Sequence, residues 1–532
     1  MPSSRSFLSA LVIALVLSVV GMSITHAATF VVTRVDDPNP ASCTVASCSL
    51  REAVLAANAS TGADVIELAE GQFSLTIGEL LLTDAVTIIG TGRNTTRITV
   101  DGTFAVLRAE LGISLTVTGL SILGPPPSPR SVQQLRGSIF AIICQRCVRL
   151  ALTDVLVSVT AGYVFTNGDN APGELTIDRS VIAVVAASQT SATIRISDSA
   201  LQYAELTTLA SGGVRVERSN FTLDLAPDLP SGLIIETSGS VDIDDTEIAN
   251  TSQGLLIRSG TPLSVRLRRL RYLDNAEPVS VTEATDVSVI DSEFRGNTSV
   301  SETPGALLVN NGSSWTVSGS SFIGNRGDGN TGGAILVEGG ASLDIDNSTF
   351  SGNSFTVAAA ANSARGAAIG VRGGALGATL RMRHVTIVQP TFALDGIDGT
   401  TIGARGTDAQ SSISIYNSIL RGNCRLDAGL LDTGIGNIES IGDTCSLATS
   451  RNLVSVSLAN LALGALADHG GPTLTYAPAS NSVAVDYQWT DLECTPRDQR
   501  GYLRQAGTDC DIGAVEVGGL ERIFVDGFDW LR

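Results

Sequence analysis

Three stretches of eight residues, VSVIDSEF at 287–294, WTVSGSSF at 315–322 and LDIDNSTF at 343–350, share one pattern. Each begins with two apolar residues that flank a polar one, and each ends with Phe after a short polar turn. Alternation with a period of two residues is typical of a β-strand that turns one face inward. Similar octets occur twelve times between residues 115 and 420, and their last residues are 19 to 37 positions apart.

A repeat of this length predicts a solenoid. One coil cannot bury its own apolar side chains, but stacked coils build a continuous core. Each strand is expected to pair in parallel with the equivalent strand of the next coil, and the variable gaps are expected to form loops. A propeller would show a longer and more regular period, and a β-sandwich would not repeat one octet twelve times. The sequence therefore predicts an all-β fold, a right-handed parallel β-helix.

Three coils carry a further signature, in which Asn297, Asn325 and Asn353 each follow a Phe by three residues. Stacked coils would bring these amides together, and the amides could then hydrogen-bond along the rod. With the GGAI element at 332–335, the pattern resembles that of chlamydial-type polymorphic membrane proteins. This resemblance covers about 294–376 and implies surface display and adhesion.

The stretch CSLREAVLAANA at 48–59 is the clearest helix signal in the chain. Ser49 and Glu52 fit a capping box, in which each residue satisfies a backbone N–H of the other. A short helix of this kind can cover the open end of the first coil, where core and strand edge would otherwise be exposed. The predicted apolar stripe of the helix consists of Leu50, Val54 and Leu55.

The same stretch resembles the CSLREA motif, which is found near the N-terminus of secreted bacterial β-helix proteins. The resemblance extends over about 29–102. Near the other end, LADHGGPTLTYAPASNSVAVD at 466–486, CTPRDQRGYLR at 494–504 and CDIGAVE at 510–516 resemble a choice-of-anchor Q module. That resemblance implies a terminal cap and a display context, and it does not imply catalysis.

The first residues have the features of a secretory signal peptide, with a basic Arg5, an apolar stretch at 7–20 and small residues before Ala28. An uncleaved anchor is the alternative, but the apolar stretch is shorter than the roughly 20 residues of a membrane span. We therefore expect a secreted or cell-surface protein with no integral membrane segment after cleavage.

These patterns predict five parts of the chain. The last part resembles the short IFxDGF-type tails of exported proteins, which could be sorting or docking signals; a final edge strand is the alternative. The parts are a signal peptide at 1–28, an N-terminal cap with the first coils at 29–102, β-helix repeats at 103–425, a choice-of-anchor Q-like module at 426–518 and the tail at 519–532.

The charge and cysteine content narrow the classes of partner. The formal net charge is −19 and the chain contains no Lys, so nucleic acid is excluded as a partner. The eight cysteines follow the signal sequence, and an even number in an exported chain predicts disulfide bonds. We expect no metal site and no cofactor. The sequence-local candidate pairs are Cys43 with Cys48, Cys144 with Cys147, Cys424 with Cys445, and Cys494 with Cys510.

Catalysis is the main alternative to binding, because parallel β-helices also include pectate lyases and polygalacturonases. Polygalacturonase-like enzymes need an Arg-x-Lys element, and some lyases need a Lys–Arg pair, so a chain without Lys excludes both. His384 and His469, the two His residues after the signal sequence, are expected to be structural or exposed. Lyase chemistry with Ca²⁺ held by carboxylates and an Arg base stays open. On balance the sequence favours a protein that is not an enzyme.

The outward positions of the octets form charged columns along the predicted rod. Because strands of successive coils lie about 4.8 Å apart, charges in one column would be neighbours. Alternating signs fit a self-neutralising surface ladder, and a saccharide-binding groove is the functional alternative. The Arg-Gly-Asp triplet at 326–328 is expected to be a chance match. The candidate binding residues are Arg195, Arg215, Glu217, Asp242, Asp244, Arg266 and Arg268.

The sequence therefore predicts an exported bacterial β-helix protein whose function is binding or adhesion through its flank and loops. A polysaccharide lyase or hydrolase is the first alternative, and a passive structural surface protein is the second. The expected partners are polysaccharides or components of a host or cell surface. The oligomeric state is left open.

Overall fold

The structure of the protein is a computed structural model. The predicted signal peptide, apart from its last two residues, and the predicted tail after Gly519 lie outside the residues that the structure describes. Within those residues, no helix combines the length and apolar character needed to cross a membrane. The described residues are 27–100, 104–124, 140–158, 163–168, 173–189, 193–208, 212–222, 230–282, 286–299, 303–328, 332–356, 366–389, 397–398, 401–405, 411–427, 430–487, 493–504 and 507–519.

The regular secondary structure of the described chain consists almost entirely of short strands. The elements of the first part are β1 (Thr29–Val32), α1 (Leu50–Ala59), β2 (Asp64–Leu68), β3 (Gly71–Leu75), β4 (Leu80–Leu82), β5 (Val86–Ile89), β6 (Thr96–Val100), β7 (Leu107–Ala109), β8 (Ser114–Leu123), β9 (Phe140–Gln145), β10 (Arg149–Val157), β11 (Tyr163–Gly168), β12 (Glu174–Asp178), β13 (Val181–Gln189), β14 (Ile194–Ser197) and β15 (Ala200–Thr208). The elements of the middle part are β16 (Val214–Glu217), β17 (Asn220–Phe221), β18 (Gly232–Thr237), β19 (Val241–Asp244), β20 (Glu247–Ala249), β21 (Leu255–Arg258), β22 (Ser264–Arg268), β23 (Arg271–Leu273), β24 (Val279–Thr282), β25 (Asp286–Ile290), β26 (Glu293–Arg295), β27 (Leu307–Val309), β28 (Ser314–Ser318), β29 (Ser321–Ile323), β30 (Arg326–Gly327) and β31 (Ile335–Glu338). The elements of the last part are β32 (Ser342–Asp346), β33 (Thr349–Ser351), β34 (Ser354–Thr356), β35 (Ile369–Arg372), β36 (Thr379–Arg383), β37 (Thr386–Val388), β38 (Ile397–Asp398), β39 (Ile402–Arg405), β40 (Ser412–Tyr416), β41 (Ile419–Arg421), β42 (Arg425–Leu426), β43 (Leu431–Ile435), β44 (Ile438–Ser440), β45 (Leu453–Val456), α2 (Leu458–Leu461), β46 (Leu463–Ala467) and β47 (Thr475–Pro478).

Of these strands, 42 stack in parallel into three long faces of one rod, which confirms the predicted parallel β-helix. The other five form two small sheets, β30-β34-β38 and β46-β47. Each strand pairs with the equivalent strand of the next coil, as β19 does with β22 and β22 with β25. Sheet one is β1-β2-β5-β8-β10-β12-β14-β16-β19-β22-β25-β28-β32-β36-β40-β43. Sheet two is β3-β6-β8-β10-β13-β15-β17-β20-β23-β26-β29-β33-β37-β41-β44-β45. Sheet three is β4-β7-β9-β11-β13-β15-β18-β21-β24-β27-β31-β35-β39-β42.

The interior of the rod is a stack of equivalent side chains. The rings of Phe294 and Phe322 lie 4.9 Å apart, and those of Phe322 and Phe350 lie 4.6 Å apart, each pair nearly parallel. The inward Trp315 is buried one strand column away. One coil could not exclude water from such rings, so burial here depends on the neighbouring coils.

The predicted stack of Asn side chains is also present. The Nδ2 of Asn297 donates to Oδ1 of Asn325 at 2.8 Å, and the Nδ2 of Asn325 donates to Oδ1 of Asn353 at 3.0 Å. All three residues are buried, and Asn275 extends the row by one coil, donating to Asn297 at 3.1 Å. The row satisfies polar groups at a corner where the strands of sheet two end.

The corner between sheets one and two holds a row of left-handed residues that the sequence did not predict. In seven coils the residue after the sheet-one strand has φ between 45° and 52°, and its charge alternates strictly from coil to coil. Asp tolerates this conformation well, but Arg adopts it rarely. The row is Asp154, Arg179, Asp198, Arg218, Asp245, Arg269 and Asp291.

The N-terminal helix α1 covers the first coil as predicted, and its capping box is formed. Ser49 Oγ accepts from the N–H of Glu52 at 3.3 Å, and the carboxylate of Glu52 accepts from the N–H of Ser49 at 2.8 Å. Leu50 and Val54 are buried against the coil, but Leu55 is 46% exposed, so its place on the apolar stripe was predicted wrongly. Ala53 and Ala57 supply the rest of the buried face, because residues three and four positions apart share one side of a helix.

The C-terminal region combines further coils with a segment that packs beside the rod. The parallel ladder continues past residue 425 through β43, β44 and β45. Beyond β47, residues 493–504 and 507–519, which we call the C-terminal segment, run back along the side of the rod and cover the outer face of sheet two. Gln499, for example, accepts a hydrogen bond from Thr349 at 2.6 Å. This covered face is buried at Ser321, Thr349, Ile419 and Ile438.

Four disulfide bonds are present, and each joins a sequence-local pair. They tie the loop before α1, a turn beside sheet three, the last coils and the C-terminal segment. The pairs are Cys43–Cys48, Cys144–Cys147, Cys424–Cys445 and Cys494–Cys510.

Candidate functional site

The seven predicted binding residues lie on the outer face of sheet one, in two adjacent columns. The pairing register places Arg215 beside Asp242, and Asp242 beside Arg266. The second column runs from Glu217 through Asp244 to Arg268, and Arg195 extends the first column by one coil. The predicted neighbours are therefore real neighbours, whereas ligand binding by these residues stays a prediction.

Two of these coils and their corner residues form what we call the proximal patch, which contains Asp242, Asp244, Asp245, Arg266, Arg268 and Arg269. Arg268 donates two hydrogen bonds to the carboxylate of Asp244. Arg269 reaches the same carboxylate, with Nη2 2.7 Å from Oδ1. The sequence columns omitted Asp245 and Arg269, because they lie at the corner and not on the strand.

The neighbouring coils show how far the face neutralises itself. Arg218 binds the carboxylate of Asp198 in a two-pronged contact, with both distances 2.8 Å. This guanidinium lowers the pKa of Asp198. Arg215 contacts Glu217 at 3.0 Å on the same strand. Because these groups are largely exposed, each pair contributes at most about 1 kcal/mol, and the self-neutralising interpretation fits this part of the face.

A second patch of the same composition lies farther along the same columns. Asp344 and Asp346 on β32 are register partners of Arg381 and Arg383 on β36. We call these four residues, with Tyr416 and Glu493, the distal patch. The sequence interpretation missed it, although the octets LDIDNSTF and LRMRHVTI repeat the alternation of VDIDDTEI and VRLRRLRY.

The C-terminal segment forms one wall of the distal patch. Glu493 accepts a hydrogen bond from Nη2 of Arg381 at 2.7 Å. The guanidinium of Arg381 also lies over the ring of Tyr416, 5.4 Å from its centre. Arg383 is less tightly held: its Nη2 is 3.5 Å from Asp344 Oδ1 and 3.7 Å from Asp346 Oδ2.

Several polar atoms of the distal patch are buried without a hydrogen-bond partner among the described residues. These atoms are Oδ1 of Asp344, Nε of Arg381 and Nε of Arg383. The 3.5 Å approach of Arg383 to Asp344 is an ion-pair contact whose geometry does not make a hydrogen bond. A buried polar atom without a partner costs about 1–3 kcal/mol, so the distal patch contains polar groups whose hydrogen bonds are not made.

The two carboxylates of the distal patch have different environments. Burial raises the pKa of Asp346, and the nearby Arg383 opposes that rise. Asp344 lies on the same outward face two residues earlier, and it shares the Arg383 guanidinium. Oδ1 of Asp344 lies 3.5 Å from Nη2 of Arg383, and Oδ2 of Asp346 lies 3.7 Å from the same nitrogen. These two oxygens are therefore at most 7.2 Å apart.

A buried polar network fixes the wall to the rod, and Arg504 is at its centre. Arg504 is 1% exposed and donates to Asn347 Oδ1 at 2.9 Å and to the carbonyl of Gly513 at 2.8 Å. Burial lowers the pKa of Arg504 to about 10, and the carboxylates of Asp498 and Glu516 oppose that shift. The buried guanidinium of Arg504, which is surrounded by hydrogen-bond acceptors, thus holds the C-terminal segment against the rod.

Other sequence candidates do not form a site. His384 is buried at the corner row, with Nε2 3.3 Å from Nδ2 of Asn417, and burial lowers its pKa well below 6.5. His469 pairs with Thr475 at 3.0 Å. The Arg-Gly-Asp triplet lies in and just after β30, and its Gly327 is buried. Among the described residues, no group of three acidic, His or Cys side chains could hold a metal ion.

Comparisons with known proteins agree with this architecture. Residues 231–420 match the family model described as a right handed beta helix region. No curated protein matches the sequence. A PL6 family alginate lyase is 11% identical, with a TM-score of 0.42, over 89% of this chain and 58% of that chain. The catalytic domain of a GH87 α-1,3-glucanase is 12% identical, with a TM-score of 0.32, over 75% of this chain and 69% of that chain.

A pectate lyase, Pel9A, is 10% identical, with a TM-score of 0.22, over 93% of this chain and 97% of that chain. The chain spans only 58% of the length of the alginate lyase. The family match over residues 231–420 and the parallel pairing of the coils show the fold, a right-handed parallel β-helix.

Proposed function

We propose that this protein binds a polysaccharide along sheet one, at the distal patch. The observation that carries the proposal is the set of buried, unpartnered polar atoms on Asp344, Arg381 and Arg383, which lie together beside the Glu493 wall. Carboxylates accept hydrogen bonds from sugar hydroxyls, and guanidinium groups donate to sugar oxygens in a fixed, planar arrangement. A flat β-helix face presents such groups once per coil, about every 4.8 Å.

A neutral glycan fits the charges of the distal patch better than an acidic one. The patch carries three carboxylates, on Asp344, Asp346 and Glu493, against the two guanidinium groups of Arg381 and Arg383. The chain as a whole has a net charge of −19, which repels polyanions at long range. The ligand therefore needs hydroxyl groups that satisfy both donors and acceptors, and it does not need a charge of its own.

We place this activity outside the bacterial cell, on a secreted or surface-displayed protein. Four disulfide bonds support that location, because such bonds persist in oxidising compartments. The predicted signal peptide and the CSLREA resemblance point the same way. In this setting, glycan binding would serve adhesion to a cell or matrix surface.

The test is a glycan array followed by titration calorimetry on the best neutral glycan. We expect the Arg383→Gln variant to bind at least about tenfold more weakly, since a lost hydrogen bond to a charged group costs about 1.5–3 kcal/mol. Arg268→Gln in the proximal patch is the matched control and should bind like wild type. Equal loss in both variants, or no binding of any neutral glycan, would contradict the proposal.

Hydrolysis of the bound glycan is a second candidate, because two carboxylates of the distal patch share Arg383. The upper bound of 7.2 Å on the separation of these oxygens allows the roughly 5–5.5 Å of the carboxyl pair in a retaining glycosidase. Asp346, whose pKa is raised by burial, suits the acid, and Asp344 suits the base or nucleophile. Release of reducing ends that the Asp346→Asn variant abolishes without weakening binding would establish this activity. Binding without any release of reducing ends would leave the protein a binder only.

A further inference from the structure

Both patches place Asp on one coil and Arg on the next, but they differ at the corner. The corner residues of the distal coils are Asn347 and His384, whereas those of the proximal coils are charged. The outward and corner positions of the β19 coil hold Asp242, Asp244 and Asp245, whereas the same positions of the β22 coil are occupied by Arg. One coil therefore presents three negative charges in a line, and the next coil presents three positive ones. These Arg residues are Arg266, Arg268 and Arg269.

Such a pair of rows is complementary to itself. Consider a two-fold axis parallel to the strands, midway between two facing copies of sheet one and between β19 and β22. This axis reverses the direction of the second rod and keeps the columns in register. Asp242 then faces Arg266 of the second copy, Asp244 faces Arg268, and Asp245 faces Arg269, and each contact occurs twice, as in any isologous interface.

The flanking coils remain compatible with this arrangement. The β16 coil would face the β25 coil, which places Arg218 opposite Asp291 and Arg215 opposite Ser288. The β14 coil would face the β28 coil, where Arg195 meets the neutral Thr316. No like charges face each other over these six coils. Two contacts from later in the chain lie at the edge of this surface: Thr473 donates to the carbonyl of Gly319 at 2.8 Å, and Gln499 donates to the carbonyl of Ser320 at 3.3 Å.

The ion pairs within one molecule leave some charged side chains of the proximal patch without an ion-pair partner. Asp244 forms ion pairs with both Arg268 and Arg269, so the Arg residues of the β22 coil are not shared equally among the three Asp residues of the β19 coil. Asp242, Asp245 and Arg266 have no ion-pair partner in the part of the chain that the structure describes. In the facing arrangement, Asp242 and Arg266 are each other's partners across the axis, and Asp245 gains an Arg.

We propose that the proximal patch is a docking surface for a second copy of this chain, in an antiparallel, two-fold dimer. Six coils of about 4.8 Å and strands of about five residues at 3.3 Å give a contact of about 500 Å² per partner. That is below the roughly 800 Å² of a standard stable interface, so the dimer is weak and depends on charge. Long rods that pair in this way would carry two distal patches, one toward each end.

The test uses the mature chain in analytical ultracentrifugation. At about 100 µM protein and low salt we expect dimers, and in about 1 M salt, where the screening length falls to about 3 Å, we expect monomers. A wild-type chain that stays monomeric at low salt would overturn the proposal, whatever the variants do. So would a dimer that is unaffected by salt.

Two triple variants identify the surface. One carries Asp242→Arg, Asp244→Arg and Asp245→Arg, and the other carries Arg266→Asp, Arg268→Asp and Arg269→Asp. The corner already accepts Asp and Arg in other coils at the same φ, so both variants should fold, as circular dichroism would verify. Each variant alone should be monomeric, and an equimolar mixture should form a heterodimer. Self-association of either variant at the wild-type level would assign the dimer to another surface and contradict the proposal.

Discussion

Replacement of Arg504 by Gln should detach the C-terminal segment from the rod while leaving the rod folded. Arg504 is the charged centre of the buried network: besides Asn347 and Gly513, its Nε donates to Thr495 Oγ1 at 3.1 Å and its Nη1 to the carbonyl of Asp511 at 3.2 Å. Gln is too short to reach all of these acceptors and carries no charge.

The size of the effect follows from what the change leaves behind. Glu516, which is buried, lies 3.5 Å from Arg504 and would lose this cation. Removal of one partner from a buried ion pair costs about 3–5 kcal/mol. The rod contributes little to this loss, because its coils are joined by their own parallel ladders. We therefore expect the free energy of docking of the segment to fall by about 3–5 kcal/mol.

Hydrogen exchange measured by mass spectrometry reports this docking directly. The N–H of Gly513 donates to the carbonyl of Asn417 at 2.8 Å, and the N–H of Ala514 donates to Thr386 Oγ1 at 2.9 Å, so both amides are protected only while the segment is docked. Each 1.4 kcal/mol is a factor of ten, which predicts exchange at these amides roughly 100- to 4,000-fold faster.

Arg497→Gln is the matched control, because Arg497 lies in the same segment and makes an exposed contact to the carbonyl of Gly501 at 2.6 Å. That variant should exchange within a few-fold of wild type. If Arg504→Gln exchanged like the control, the buried network would not hold the segment. If amides of the rod exchanged equally fast, the segment and the rod would unfold as one unit. Either result would refute the reasoning.

Two further predictions concern the rod itself. Asn325→Ala removes the amide that donates to the carbonyl of Phe294 (2.9 Å) and to Asn353. It should lower the free energy of unfolding by about 2–4 kcal/mol, measured by denaturant titration. A loss below about 0.5 kcal/mol would contradict a structural role for the row of Asn side chains. His384 has a pKa well below 6.5 because it is buried, with Arg504 adding to the shift, so the unfolded chain takes up more protons and stability should fall below pH 6.5 by up to about 1.4 kcal/mol per pH unit. His384→Asn, which suits the left-handed corner as Asn417 does, should flatten that slope, and an unchanged slope would assign it to another group.

The regular part of the fold could be predicted from the sequence because it depends on local periodicity. The octets fix which residues face inward, and equal spacing within the octet fixes the register, so the columns from Arg195 to Arg268 were assigned correctly. The Asn row and the capping box of α1 follow from short motifs for the same reason. Leu55 was predicted wrongly because the face that a helix buries depends on the side chains of the coil beneath it, which the helix motif does not contain.

The site depends on contacts that no local pattern contains. Gln499 bonds to Thr349 across 150 positions, and Glu493 reaches Arg381 across 112, so a sequence interpretation could not bring the wall to sheet one. The columns of the distal patch were within reach, because Asp344 and Arg381 occupy the same octet positions as Asp242 and Arg266. The strict alternation at the corner escaped notice because Arg is rare in the left-handed region.

The most direct test of the proposed function is a chemical footprint of arginine side chains with and without a bound neutral glycan. Labelling with an arginine-directed reagent, read by mass spectrometry, reports each guanidinium separately. A ligand on the distal patch should slow the modification of Arg381 and Arg383 and leave Arg268 and Arg269 unchanged. Protection of the proximal arginines instead, or equal labelling with and without the glycan, would contradict the account.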